Sequence, residues 1–221
     1  MTEIKFNNQF KKVKKMKKIK LLTFVGLSVL LLSSCARIFY SPDAFTLANG
    51  HKTIAILPPS VSIAVSKKTN AEAIKEQQKT ESLNFQKEMY SWMLKRKMQG
   101  RITQEIQDIE TTNAKLKKAG YPDTPFTPSE MCEILGVEGV VGSNFALSKP
   151  MSDGAAVAMV LLVGASGSTN KVRVSLNIND CSNKKLIWNY DHKLSGGIGS
   201  SPSRLVDGLM RQASRKMPYF K

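Results

Sequence analysis

Cysteine, histidine and tryptophan are scarce in this chain: three, two and two among 221 residues. The cysteines, Cys35, Cys132 and Cys181, form no CxxC pair, and no histidine cluster accompanies them. That spacing gives a metal site no support. The two histidines, His51 and His192, lie far apart, and no G-x-S-x-G or comparable nucleophile setting adjoins either. His192 follows Asp191, but neighbours on a strand point to opposite faces and do not pair. "GASGSTNK" lacks the spacing of a phosphate loop, because Lys171 follows Asn170 rather than a glycine. No catalytic, cofactor-binding or metal-binding residues are assigned, and the expectation is a chain that is not an enzyme. Long apolar runs are also missing. The two most apolar stretches, Leu21–Leu32 and Ala155–Val163, both fall short of the roughly 20 residues that a membrane-crossing helix needs.

The first of these runs is informative because of its flanks. "KKVKKMKKIK" precedes it, and "LSSC" closes it. A basic region followed by a short apolar core has the form of an export signal. Leu32, Ser33, Ser34 and Cys35 resemble the lipobox of bacterial lipoproteins. The resemblance implies cleavage between Ser34 and Cys35, a diacylglycerol on the Cys35 thiol and an acylated new amino terminus. Residues 1–34 are then the signal peptide. Each buried methylene contributes about 0.8 kcal/mol, so two or more chains hold a protein on a membrane without a spanning helix. The resemblance to sorted lipoproteins further implies the outer membrane, because Ala36 rather than an aspartate follows the cysteine. "MKKIKLLTFVGLSVLLLSSC" from Met16 is already a signal of ordinary proportions, so either Met1 or Met16 can be the true start.

The net charge of +16 suggests an anionic partner, but the signal carries eight lysines and one glutamate of it. The remaining 187 residues hold 25 basic and 16 acidic side chains, interspersed without a long basic run. The expectation is a solvated mixed-charge surface and no nucleic-acid partner. Lipid head groups or cell-wall polymers stay open as anionic partners.

The mature length suits one domain. Residues 35–51 read as a short irregular lipidated tether, and 52–221 as a single α/β domain. "TIAILPP" is a buried strand that Pro58 and Pro59 end, since proline has no amide hydrogen to donate. From about Ala71 to Ala119 the chain reads as helical, with Gly100 as a kink or break. Phe85, Met89 and Trp92, then Ile102, Ile106 and Ile109, form its apolar stripe. Lys95–Arg96 and Lys117–Lys118 fall on solvated helix faces. Thr127 or Ser129 caps a short helix that Gly136 closes. Val137–Leu147 is the next strand. Ala155–Val163 is either a buried strand or helix or an exposed apolar hairpin. "KVRVSLNIND" and "LIWNYDHKL" alternate as a hairpin around "CSNKK", with Leu186, Trp188, Tyr190 and His192 on one face. Trp188 and Tyr190 are expected in the core rather than in a sticky surface patch. Leu205–Lys216 is a last amphipathic helix. Cys132 and Cys181 can form a disulfide in an oxidising periplasm or stay as two free buried thiols. The fold class is α/β (α+β): a mixed sheet of about four or five strands packed by a long helix and a C-terminal helix.

The "TIAILPP" strand, the "LGVEGVVGS" step and the "LNINDCSNKKLIW" hairpin together resemble small periplasmic lipoprotein domains. These are the domains related to the curli-secretion protein CsgG, the peptidoglycan-synthase activator LpoB and the amino-terminal domain of TolB. "NDCSNKKLIWNY" is similar to their D-x-x-x-G-x-x-x-W hairpin, with Asn183 or Lys184 where a turn glycine is common. The closing "LSGGIGSSPSRLVDGLMRQASRKMPY" looks like lipoproteins of Bacteroidetes-type bacteria. The resemblance implies a non-enzymatic protein-binding or assembly role in the envelope, with an envelope protein as partner and the body facing the periplasm. The alternative it implies is a subunit of a CsgG-like oligomeric secretion pore. Against that, "AAVAMVLLV" does not alternate as a pore strand must.

Overall fold

The computed structural model describes residues 36–64, 70–147, 170–196 and 202–221. They form one compact unit, Ala36–Lys221. The Ala155–Val163 segment lies outside the described residues.

Twelve elements are formed by the described residues. In chain order they are β1 (Arg37–Tyr40), α1 (Ala44–Gly50), β2 (Thr53–Ile56), β3 (Ser60–Ile63), α2 (Ala71–Met98) and β4 (Glu105–Ile106). Then come α3 (Ile109–Lys118), α4 (Pro128–Leu135), β5 (Gly139–Leu147), β6 (Asn170–Asp180), β7 (Lys185–Gly196) and α5 (Pro202–Ala213). The seven strands share one mixed sheet, in the order β1-β7-β6-β5-β2-β4, with β3 also on β5. β5, β6, β7 and β1 pair antiparallel, whereas β2, β3 and β4 join in parallel. The expected class, α+β with helices on a mixed sheet, is the one observed.

The strand count exceeds expectation because three short strands carry weak signals. Residues 37–50 are not an irregular tether: Arg37–Tyr40 pairs with β7, and Ala44–Gly50 is helical. "RIFY" is long enough for four ladder positions, and Pro42 stops it. The prolines after β2 do not end its ladder. Ile56 pairs Val141 and Ser60 pairs Asn144, so residues 57–59 oppose only 142 and 143. The extra residue forms a bulge that accommodates two missing amide hydrogens. Side chains of α2 satisfy the carbonyls left there: Gln86 Nε2 donates to Ile56 O at 2.8 Å, and Ser82 Oγ donates to Pro59 O at 2.6 Å.

The long helix is shorter than expected. Gly100 has φ +70, which ends α2, and Asp108 starts α3 by accepting from the Thr111 amide at 2.7 Å. Between them, burial alternates through Ile102, Gln104 and Ile106, and Glu105–Ile106 is an edge strand. A four-residue step fits a helix turn and two strand repeats alike, so Ile102 and Ile106 face the core by a different route. Thr127 caps α4 in a capping box with Glu130, Pro128 fills the first turn, and Gly136 closes the helix at φ +64.

One sheet face carries the main core. Phe85 and Phe145 stack at 4.1 Å between ring centroids, and Met89, Met93, Trp188, Leu209 and Met210 are buried around them. Trp188 and Tyr190 are therefore core residues. A smaller cluster beneath α3 and α4 covers part of the other face through Ala55, Leu57, Leu116, Leu135 and Val140. The remainder of that face, with Ser175, Asn177, Asn189 and Asp191, is polar and partly exposed. A bulge at Ile187 shifts the start of β7: Ile178 pairs Trp188, whereas Asn179 pairs Leu186. Ile187 and Trp188 are both fully buried, and Leu186 is turned out to 40% exposure instead of joining the expected face.

Candidate functional site

Ser34 and Cys35 lie outside the described residues; Ala36 is the first residue of the folded unit. No helix among the described residues is long and apolar enough to cross a membrane. Among them, no three histidine, cysteine, aspartate or glutamate side chains converge as a metal site would need. The Sγ atoms of Cys132 in α4 and Cys181 in the hairpin turn are bonded, with Cα atoms 5.5 Å apart and the two residues 49 positions apart in sequence.

The structure draws together three side chains that the sequence holds far apart. His51 follows α1, Asp180 ends β6, and Tyr219 lies two residues from the C terminus. His51 Nε2 is 2.8 Å from Asp180 Oδ1, and His51 Nδ1 is 2.7 Å from Tyr219 Oη. All three are buried. The second carboxylate oxygen, Oδ2, accepts from the Asn183 amide at 2.6 Å and from its side chain at 2.8 Å. Asp180 thus caps the turn with one oxygen and orients the imidazole with the other.

Electrostatics sets the direction of these bonds. Burial works to raise the Asp180 carboxyl, but hydrogen bonds from His51 and Asn183 outweigh it and hold the group below its ordinary range. Burial, with the Asp180 charge adding to it, pushes the Tyr219 phenol far up. Tyr219 therefore keeps its hydrogen. The carboxylate only accepts, so Nε2–H donates to it, and in the neutral ring that leaves Nδ1 to accept from the phenol. Gly139, at the start of β5, makes room for this arrangement. A Cβ there would meet His51 Nδ1 at 2.4 Å and Tyr219 Oη at 2.6 Å.

A hydroxyl, an imidazole and a carboxylate in a row have the order of a nucleophile relay. Here the hydroxyl is a phenol inside the protein, and each of its partners is already used. The arrangement closes on itself and acts as a clasp. It ties the N-terminal arm, the hairpin turn and the C-terminal tail to one corner of the sheet. The tail is held twice more: Phe220 lies against Trp92 at 5.4 Å, and the Lys221 amide donates to Arg101 O at 3.2 Å. The disulfide adjoins the same turn, because Cys181 follows Asp180.

Sequence reasoning found both histidines but not this partnership. His51 and Asp180 are 129 positions apart, and His51 and Tyr219 are 168 apart. The one available signal was the aspartate of the D-x-x-x-G-x-x-x-W pattern, which falls on Asp180. In that pattern the glycine position falls on Lys184, whose φ is +51, the conformation that favours glycine. His192 lies beneath the sheet beside Tyr190 at 5.9 Å, and burial pushes its imidazole down. Arg96 is not simply solvated: its guanidinium lies 4.7 Å from the centre of the Trp92 ring.

No protein-family model and no curated protein matches the chain. Several solved structures are similar to it. A PelC dodecamer from Paraburkholderia phytofirmans is 11% identical with a TM-score of 0.38, covering 85% of this chain and 99% of that one. Lipoprotein GNA1162 from Neisseria meningitidis is 13% identical with a TM-score of 0.41, covering 74% and 96%. The LpoB C-terminal domain from Salmonella enterica is 10% identical with a TM-score of 0.34, covering 69% and 95%. Likenesses of this size assign neither a family nor an activity to the chain.

Proposed function

We propose that this chain is an envelope lipoprotein: acyl chains on Cys35 hold a folded body on the outer membrane, where it binds another envelope protein or supports its assembly without catalysing a reaction. The observation that carries the reading is the junction at residues 32–36. "LSSC" ends a short apolar run with a basic flank, and the folded unit begins at the next residue, Ala36. The absence of a spacer puts β1 within a few ångströms of the acylated residue along the chain. The body then works at the membrane surface rather than at the end of a long leash.

The paired cysteines agree with export. A bond between α4 and the hairpin turn persists in an oxidising compartment and is lost in a reducing one. The clasp agrees with a binding role, since it uses His51, Asp180 and Tyr219 to hold both ends of the unit in place.

Replacing Cys35 with serine and following the protein through membrane fractionation tests the anchor. Wild-type protein is expected in the membrane pellet and resistant to high salt, whereas the variant is expected to remain unlipidated. A variant that carries acyl groups would refute the assignment of Cys35. Crosslinking in native membranes followed by purification tests the binding role. A specific envelope protein is expected in wild-type samples, and recovery of none refutes that role.

A further inference from the structure

β1 ends the strand order, so one of its two edges meets no other strand among the described residues. Its hydrogen-bond phase follows from the pairing with β7. Arg37 pairs Asp191 and Tyr40 pairs Trp188, and the next position is fixed by the Ser41 amide donating to Ile187 O at 2.9 Å. In an antiparallel ladder the hydrogen-bonded positions alternate. Arg37, Phe39 and Ser41 therefore bond to β7. The amide and carbonyl groups of Ile38 and Tyr40 point outward along the free edge. An open edge of this kind is a template for another strand.

The same edge carries two of the exposed large apolar side chains. Phe39 is 49% exposed on the sheet face opposite α2, and Phe45 is 54% exposed, stacked on Tyr40 at 5.5 Å. Exposed phenylalanines beside unpaired backbone groups are what a strand laid on this edge would cover.

We propose that this edge joins two copies of the chain, β1 against β1 in antiparallel register, about a two-fold axis through Phe39. The register follows from the phase. Ile38 of one copy exchanges both backbone hydrogen bonds with Tyr40 of the other, and the reverse pair does the same. Phe39 then meets its own counterpart in the closer, non-bonded position. Each cross-strand pair is favourable: aromatic on aromatic at the axis, and β-branched on aromatic at either side. Charge does not oppose it. Arg37 falls opposite Ser41 of the second copy, whose hydroxyl is 2.9 Å from Asp43 Oδ1, and that carboxylate is already paired through Oδ2 with Lys185, so the corner is balanced. No like charges oppose one another in this register. A two-fold interface needs a self-complementary patch, and "RIFYS" supplies one. The inference is independent of the lipid anchor.

The test uses the full chain in its own membranes, with Phe39→Cys. A non-bonded antiparallel pair holds its Cα atoms about 4.5 Å apart, within disulfide reach. Mild oxidation is expected to give a band of twice the chain's mass that collapses on reduction. Leu83→Cys, equally exposed but on α2, which packs over β2 and β3 four places from β1 in the sheet order, is expected to give none. No double-mass band from Phe39→Cys overturns the proposal, as does a conjugate of another mass or an equal band from Leu83→Cys. A second arm uses Phe39→Lys and Phe39→Glu with two affinity tags. The mixed pair is expected to co-purify at least about tenfold better than either like-charged pair, the equivalent of about 1.4 kcal/mol. Equal recovery of mixed and like-charged pairs overturns the proposal.

Discussion

Replacing Gly139 with alanine should destabilise the protein, although at most comparable positions the same change does the opposite. Gly139 has no positive φ, so its backbone suits any residue. Such a glycine-to-alanine change usually stabilises by about 0.4–1 kcal/mol through the unfolded chain. Here the new Cβ would lie 2.4 Å from His51 Nδ1, 2.6 Å from Tyr219 Oη and 2.8 Å from His51 Cε1. None of these atoms is the end of a free side chain. The imidazole is fixed on its other side by Asp180, and the phenol is buried in the tail. Relief requires the imidazole and phenol to part. Overpacking costs about 1–3 kcal/mol, and a buried hydrogen bond left unmade costs about 1–3 kcal/mol. The two overlap, which places the net loss at about 3 kcal/mol. For a unit of this size that lowers Tm by roughly 6–12 °C. Thermal and urea unfolding followed through the indole fluorescence of Trp92 and Trp188 would read it. The attribution is checked in a His51→Ala background, where the imidazole clash is gone and the phenol, released from Nδ1, can shift into the vacated space, so Gly139→Ala should cost less than about 1 kcal/mol. A wild-type Tm for Gly139→Ala, or an equal loss in both backgrounds, would refute the steric account of the clasp.

Three further outcomes follow from the same structure. Burial lowers the His192 imidazole and hydrogen bonds lower the Asp180 carboxyl, so both make the fold less stable in acid. The unfolded chain takes up protons first at each group. Stability should therefore fall as pH drops below about 6.5 through His192, and fall again below about 4 through Asp180. His192→Phe should flatten the upper part of that profile and leave the lower part, and an unchanged profile in urea titrations would remove His192 as its source. Gly136→Ala should cost about 1 kcal/mol from backbone alone, since φ is +64 and nothing lies within 4 Å of the added Cβ. A neutral result in the same unfolding assay would contradict the left-handed cap. Joint replacement of Cys132 and Cys181 by serine should cost about 2–4 kcal/mol for a cross-link spanning 49 residues. A wild-type urea midpoint for that variant would mean that the bond does not form in the cell.

Patterns of local period were legible in the sequence. The hairpin showed through the alternation of Val172, Val174, Leu176 and Ile178, and α4 through Thr127, Pro128 and Gly136. What was not legible depended on neighbours. "RIFY" is too short to declare itself, and only the partner β7 makes it a strand. Pro58 and Pro59 seemed terminal because nothing local shows the bulge against β5 or the donors that Gln86 and Ser82 bring to Ile56 O and Pro59 O from 30 and 23 positions on. Ile102 and Ile106 fit two periods at once, and Gly100 decided between them. Leu186 misled because a bulge resets alternation without any composition signal. The clasp was invisible for the same reason that it is effective: it joins His51, Asp180 and Tyr219 from three ends of the fold.

The central claim is that acyl chains on one sulfur hold the folded unit on the envelope, and mass spectrometry of the protein purified from its native membrane tests it most directly. The account predicts a mature amino terminus at Cys35, its thiol carrying diacylglycerol and its amine acylated. An intact leader, or cleavage elsewhere with the Cys35 thiol bare, would contradict it.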